Sequence, residues 1–180
     1  IKHLDDFNLK QLTNKEINFF KNKKILITGV SGIIGINLLF FFNKINTKKK
    51  LSIKIDGTYN TSFFKFVIEY FKKYRNISFF KKDIDCNKIN IKKKYDLIFH
   101  CAGYGQPSKF LKYKSSTYKL NSSVIISLKN NLKNNGKFIY LSTTEIYSGN
   151  EEKCTENSIG FTGSKHPRSS YIDSKRFGES

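Results

Sequence analysis

Tyr171 and Lys175 stand four residues apart in the run Tyr171-Ile172-Asp173-Ser174-Lys175. On a helix that spacing puts both side chains on one face, one turn apart. An ammonium beside a phenol favours the phenolate and lowers its pKa, which turns a weak base into one usable near neutral pH. A Tyr–Lys pair on so lysine-rich a chain is also an ordinary accident, so its meaning depends on what precedes it. Upstream, Ser142-Thr143-Thr144-Glu145-Ile146-Tyr147 closes an apolar run with hydroxyls and a carboxylate.

Near the start lies Lys24-Ile25-Leu26-Ile27-Thr28-Gly29-Val30-Ser31-Gly32-Ile33-Ile34-Gly35, followed by the apolar, proline-free stretch Ile36 to Phe42. A β-branched run, a Gly-rich turn and an apolar segment read as strand, tight turn and helix. Gly29 lets the chain turn off the strand, Gly32 lets a pyrophosphate approach the backbone, and Gly35 lets the helix pack close to the sheet. The unpaired N–H groups at the helix start, from Ile33 and Ile34 onward, then face the phosphates. A second strand-like run, Ile53-Lys54-Ile55-Asp56, ends in an acid twenty-one positions after Gly35. Such an acid hydrogen-bonds a ribose 2′-OH and repels a 2′-phosphate, which favours NAD over NADP.

Composition narrows the class. The chain has 180 residues, is 38% hydrophobic and contains 17 Phe, enough for one domain with a core. Nothing approaches the roughly 20 apolar residues of a membrane span, and residues 1–22 lack the apolar core of a signal peptide. Cys86, Cys101 and Cys154 are odd in number and widely spaced. They fit a reducing cytoplasm, with neither a disulfide framework nor a zinc site, and three His assemble no metal cluster. The net charge of +19 comes almost entirely from Lys, accompanied by abundant Asn, Ile and Phe. Compositional bias explains it better than nucleic-acid binding, which leans on the planar fork of Arg.

Along the chain, residues 1–22 read as a polar helical extension, with Thr13 or Asn14 as N-cap, ahead of a cofactor domain over 23–180. A helix with an aromatic stripe follows over Phe63 to Tyr74. Strands are expected at Asn76 to Phe80, Tyr95 to His100 and Lys137 to Leu141. A helix is expected over Ser116 to Leu132, closed by Asn134-Asn135-Gly136. Strands alternating with helices imply right-handed βαβ units and a parallel sheet with ligands at the carboxyl ends of its strands.

Thr28-Gly29-x-x-Gly32-x-x-Gly35, His100-x-Ala102-Gly103, Ser142-Thr143 with Tyr147, and Tyr171-x-x-x-Lys175 together resemble the motif series of the extended short-chain dehydrogenase/reductases, the sugar-nucleotide epimerase/dehydratase group. The resemblance implies a Rossmann-like doubly wound α/β fold with helices on both faces. It also implies NAD as cofactor and a nucleotide-sugar substrate. It places Asp56 at the ribose, Asp83 and Ile84 at the adenine, Cys101, Ala102 and Gly103 along the cofactor, and Lys175 at the nicotinamide ribose. Thr143 would hydrogen-bond the sugar hydroxyl being oxidised, and Tyr171 would take its proton. Family members commonly dimerise. The group also has a C-terminal part of comparable size that closes over the sugar, so the chain is expected to be a truncated form.

Ser142 to Tyr147 and His166-Pro167-Arg168-Ser169-Ser170-Tyr171 to Arg176 are similar to the signatures of UDP-glucuronate decarboxylases, as are Gln106-Pro107-Ser108 and Thr117 to Asn121. Gln106, Pro107, Asn121 and Arg168 are therefore expected at the substrate. Related dehydratases carry an Asp where this chain has Thr144. The implied reaction oxidises C4 of the sugar, loses carbon dioxide from the β-keto acid so formed, protonates C5 and returns the hydride. Glu145 is the candidate for proton handling at C5, and His100 a buried strand-end residue rather than an acid or base. Ser148 departs from the usual Tyr-Gly. A 4-epimerase, a 4,6-dehydratase and a non-catalytic NAD-binding module are the competing readings.

Overall fold

The computed structural model describes residues 9–60, 65–84, 91–150 and 153–180. Expectations placed on residues 1–8, Phe63 and Cys86 lie outside these.

The elements, in chain order, are α1 (Asn14–Phe19), β1 (Lys24–Thr28), α2 (Ile33–Lys49), β2 (Lys54–Tyr59), α3 (Lys65–Phe71), β3 (Ile77–Lys81) and β4 (Tyr95–His100). They continue with α4 (Pro107–Phe110), α5 (Lys114–Asn121), α6 (Ser123–Lys129), β5 (Leu132–Tyr140), a 3-10 turn over Thr144–Tyr147, and α7 (Ser169–Glu179). α1 begins with a capping box in which Thr13 and Glu16 satisfy each other's backbone N–H groups.

The five strands are ordered β3-β2-β1-β4-β5, with β1 parallel to β2 and β4, and β2 parallel to β3. This is the Rossmann-like doubly wound order, whose crossovers reverse direction between β1 and β4. Ile25, Leu26, Ile27 and Thr28 are all buried although successive residues point to opposite faces, so β1 is covered on both sides.

Among the described residues two compact units form, one of residues 9–60, 65–83, 91–102 and 131–139, the other of 84, 103–130, 140–150 and 153–180. The first holds the sheet and the apolar core, where Phe40, Phe42 and Phe71 pack with Ile25, Ile27, Leu39 and Ile55. Ile17 of α1 is 4% exposed and belongs to that core. In the second unit α5, α6 and α7 pack together.

Three boundaries differ from expectation. The helix over Ser116 to Leu132 is two helices, broken at Ser122, whose φ of −134° and ψ of −88° are not helical. Asn134-Asn135-Gly136 is not a C-cap but lies inside β5. β2 does not end at Asp56; pairing with β1 and β3 carries it on to Tyr59.

Candidate active site

In the first unit, β1 and β4 end side by side at the point where the strand order reverses. Gly29 leaves β1 with φ +65°, and a Cβ there would lie 2.7 Å from the Ala102 Cα. The left-handed turn and the close passage of the segment after β4 both require glycine. At Gly35 a Cβ would lie 2.5 Å from the Gly29 carbonyl oxygen, so the first turn of α2 presses on the chain leaving the strand. The Thr28 hydroxyl ties the two strand ends, accepting from the Ala102 N–H at 3.3 Å and sharing a hydrogen bond with His100 Nδ1 at 2.8 Å. His100 is thus a buried tie between strands. Burial also pushes the Cys101 thiol up to about 12, which makes it inert at neutral pH.

α2 begins with no side-chain cap at Gly32, and the N–H groups of Ile33, Ile34 and Gly35 have no intrahelical acceptor. Ile33 and Ile34 are exposed at the helix start, whereas Gly35 is buried. With the positive end of a 17-residue helix behind it, the turn has the chemistry to hold an anion such as a dinucleotide's pyrophosphate.

Asp56 is not at that site. It pairs in register with Leu26 in the middle of β1, three residues before the end of β2, or about 10 Å short of the carboxyl edge. Its Oδ2 accepts from the Tyr95 hydroxyl at 2.8 Å and meets Lys93 Nζ at 2.9 Å. Tyr95 opens β4 and Lys93 precedes it, so the carboxylate looks toward the amino end of the sheet, away from the phosphate turn. The strand-end position expected of a ribose acid is therefore not where Asp56 stands. The acid near the carboxyl end of β2 is Asp83, whose Oδ1 accepts from Asn60 Nδ2 at 3.2 Å. Ile84 beside it is buried.

The second unit holds the expected catalytic residues. α7 carries Tyr171 and Lys175 one turn apart, each 8% exposed. Lys175 Nζ donates to the Leu141 carbonyl oxygen at 2.7 Å and lies over the rings of Tyr140 and Tyr171 at 4.7 and 5.9 Å. Burial lowers its pKa from 10.5 to about 8, which leaves the ammonium the major form at neutral pH. Phe110 stacks on Tyr171, with ring centroids 4.3 Å apart and planes 11° off parallel.

Thr143 caps the 3-10 turn, its Oγ1 accepting from the Glu145 N–H at 3.3 Å, which leaves the hydroxyl hydrogen to donate elsewhere. Glu145 and Arg168, expected to act separately, are partners: Nη1 meets Oε1 at 2.8 Å, and the guanidinium lies 6.0 Å from the Phe110 ring centre. Asn121, expected at the substrate, sits at the end of α5. It is 1% exposed and donates from Nδ2 to Ser174 Oγ at 3.0 Å, fixing α5 against α7. Gln106 and Pro107 start α4 and are exposed, and Gly103 is exposed as well. Ser148 displaces the expected glycine by one position. Gly149 takes φ +94°, and a Cβ there would strike the Phe161 carbonyl.

Sequence reasoning missed Phe110 and Ser174. Ser174 carried a signal, since it lies within the Tyr–Lys turn of α7; Phe110 carried none.

A doubly wound parallel sheet with a Gly-rich turn at its switch point defines a dinucleotide-binding type of α/β fold. The chain belongs to the NAD dependent epimerase/dehydratase family, which it matches over residues 25–180. It is 30% identical to the bifunctional polymyxin resistance protein ArnA of Wigglesworthia glossinidia brevipalpis, over 98% of this chain and 27% of that one. An epimerase of Methanothermobacter thermautotrophicus superposes with a TM-score of 0.69 at 22% identity, covering 92% of this chain and 48% of the other. WbmF of Bordetella bronchiseptica, solved with NAD+, gives 0.60 at 20% identity over 89% and 44%. The chain thus spans about half the length of these solved structures and about a quarter of the curated relative. Its cofactor is NAD, as the family's is. Among the described residues no helix is long and apolar enough to cross a membrane.

Proposed function

We propose that the chain carries the NAD-binding and proton-transfer residues of an enzyme that decarboxylates UDP-glucuronate through a 4-keto intermediate. The observation that carries this reading is the buried Tyr171–Lys175 turn, with Lys175 held on the Leu141 carbonyl. Gly29, Gly32, Ile33, Ile34 and Gly35 hold the pyrophosphate, Asp83 and Ile84 flank the adenosine, and Lys175 binds the nicotinamide ribose. Bound NAD supplies an acceptor, then a donor, for the hydride at C4.

Tyr171 takes the C4 hydroxyl proton, and the stacked Phe110 ring keeps its phenol out of water. Lys175, protonated below about pH 8, stabilises the phenolate. Thr143 donates to the same sugar oxygen and keeps it oriented as the carbonyl forms. Glu145 relays a proton from water to C5 once carbon dioxide has left, and Arg168, its ion-pair partner, meets the substrate's negative charge. Thr144, where a dehydratase has Asp, favours loss of carbon dioxide over loss of water, because a threonine hydroxyl is no carboxylic acid. A cytoplasmic homodimer is part of the same reading.

The test is mass spectrometry of products after incubation with NAD and either UDP-glucuronate or dTDP-glucose. Loss of carbon dioxide from the first is expected, with Tyr171→Phe lowering the rate at least about a hundredfold. Loss of water from the second, or a Tyr171→Phe rate equal to the parent's, refutes the reading.

A further inference from the structure

The residue after Lys175 has no part in the chemistry above, yet its guanidinium is bonded on every side. Arg176 Nε and Nη2 donate to the Ile146 carbonyl oxygen at 2.9 and 2.7 Å. Nη2 also reaches Thr162 Oγ1 at 3.2 Å and the Ser148 carbonyl oxygen at 3.4 Å, while Nη1 meets Asp173 Oδ1 at 3.3 Å. The Thr162 hydroxyl in turn donates to the Ser148 carbonyl at 3.0 Å.

These acceptors close the turn that carries the candidate acid. Carbonyls at the end of a short helical turn have no partner within it, and a planar fork suits several of them at once where an ammonium does not. Lys175, one residue earlier, holds the Leu141 carbonyl at 2.7 Å. Two adjacent cations on α7 therefore grip Leu141 at one end of the segment and Ile146 to Ser148 at the other. Thr143 and Glu145 lie between the two grips.

We infer that Arg176 is a positioning residue: by holding the Ile146 and Ser148 carbonyls to α7, it fixes where Thr143 and Glu145 stand relative to Tyr171. Gly160 is kept small for the same purpose. A Cβ there would strike both the Ile146 carbonyl oxygen and Arg176 Nη2. The inference rests on the proposed function for what Thr143 and Glu145 do, but not for what Arg176 holds.

Two variants test it. Arg176→Lys keeps the charge and loses the fork, whereas Gly160→Ala keeps Arg176 and displaces its guanidinium. Hydrogen exchange read by mass spectrometry should show peptides covering 141–150 exchanging at least about tenfold faster in both, with peptides covering β1 and β4 unchanged. NAD affinity should stay within about twofold of the parent's. Turnover of UDP-glucuronate should lose about tenfold to a hundredfold in kcat with KM little changed, since a misplacement of about 1 Å suffices for that loss. The pH profile should keep its shape, because Tyr171 and Lys175 are intact. Unchanged exchange at 141–150 in both variants overturns the inference whatever the substrate, as does faster exchange throughout the chain, which would make Arg176 a general stabiliser. Faster local exchange with an unaltered kcat overturns the positioning role. A parent that leaves UDP-glucuronate untouched refutes the substrate reading, and the exchange result still decides what Arg176 holds.

Discussion

Replacing Asp56 with Ala separates a ribose hook from a structural carboxylate. Its Oδ2 accepts from the Tyr95 hydroxyl at 2.8 Å and pairs with Lys93 at 2.9 Å. Tyr95 is 1% exposed, so the variant leaves a buried phenol without its acceptor, a loss of about 1–3 kcal/mol. Lys93 is 47% exposed in its side chain, and its half of the pair is screened, contributing about 0–1 kcal/mol. The sum, about 1–4 kcal/mol, corresponds to a drop in melting temperature of about 2–16 °C for a chain of this size. Asp56→Asn keeps an acceptor for Tyr95 and should lose about 1 kcal/mol or less. Thermal unfolding followed by circular dichroism, with NAD titrated calorimetrically below the transition, gives both quantities. NAD affinity in either variant should remain within about twofold of the parent's. An affinity lowered at least about tenfold, equivalent to about 1.4 kcal/mol of binding, with the melting temperature unmoved, would refute the reasoning and return Asp56 to the cofactor.

Asp83→Ala should weaken NAD binding by about tenfold in the same titration, as expected for loss of one hydrogen bond to a charged acceptor; an unchanged affinity places the adenosine elsewhere. Gly29→Ala combines a left-handed φ of +65° with a Cβ 2.7 Å from the Ala102 Cα. It should lower stability in urea by about 2 kcal/mol or more and weaken NAD binding with it. Lys175 has a folded pKa of about 8 against 10.5. The unfolded chain therefore binds more protons between those values, and stability should rise with pH across that window, by about 3 kcal/mol at most. Lys175→Met should flatten the rise, measured as urea midpoints on either side of the window; a rise that persists in the variant assigns it to other groups.

What the sequence revealed was local. The Tyr171–Lys175 turn could be read because its geometry lies within one helical turn, and β1 with its glycines because apolar run and turn are contiguous. Asp56 misled because a strand's end is set by its neighbours: register with β1 and β3 carries β2 through Gly57 and Thr58 to Tyr59, past residues that signal little strand by themselves. β5 tolerates Asn134, Asn135 and Gly136 because it is partly exposed at the end of the described sheet, so turn-forming residues there do not stop it. The break at Ser122 interrupts a run with no glycine or proline to announce it. Glu145 and Arg168 were each conspicuous alone, but their pairing spans 23 residues and two elements, which no spacing rule reaches. The contacts of Arg176 are long-range in the same way.

The Tyr95–Asp56 hydrogen bond has a mechanical side. β2 and β4 flank β1, so the two side chains together bridge strands about 9–10 Å apart, across the middle one. It works as a cross-tie beneath a plank. Splaying β2 from β4, or sliding β1 between them, would have to stretch the tie. The turn at Gly29 leaves β1 at the other end of that plank, so Asp56, from the neighbouring strand, braces the strand from which the turn springs.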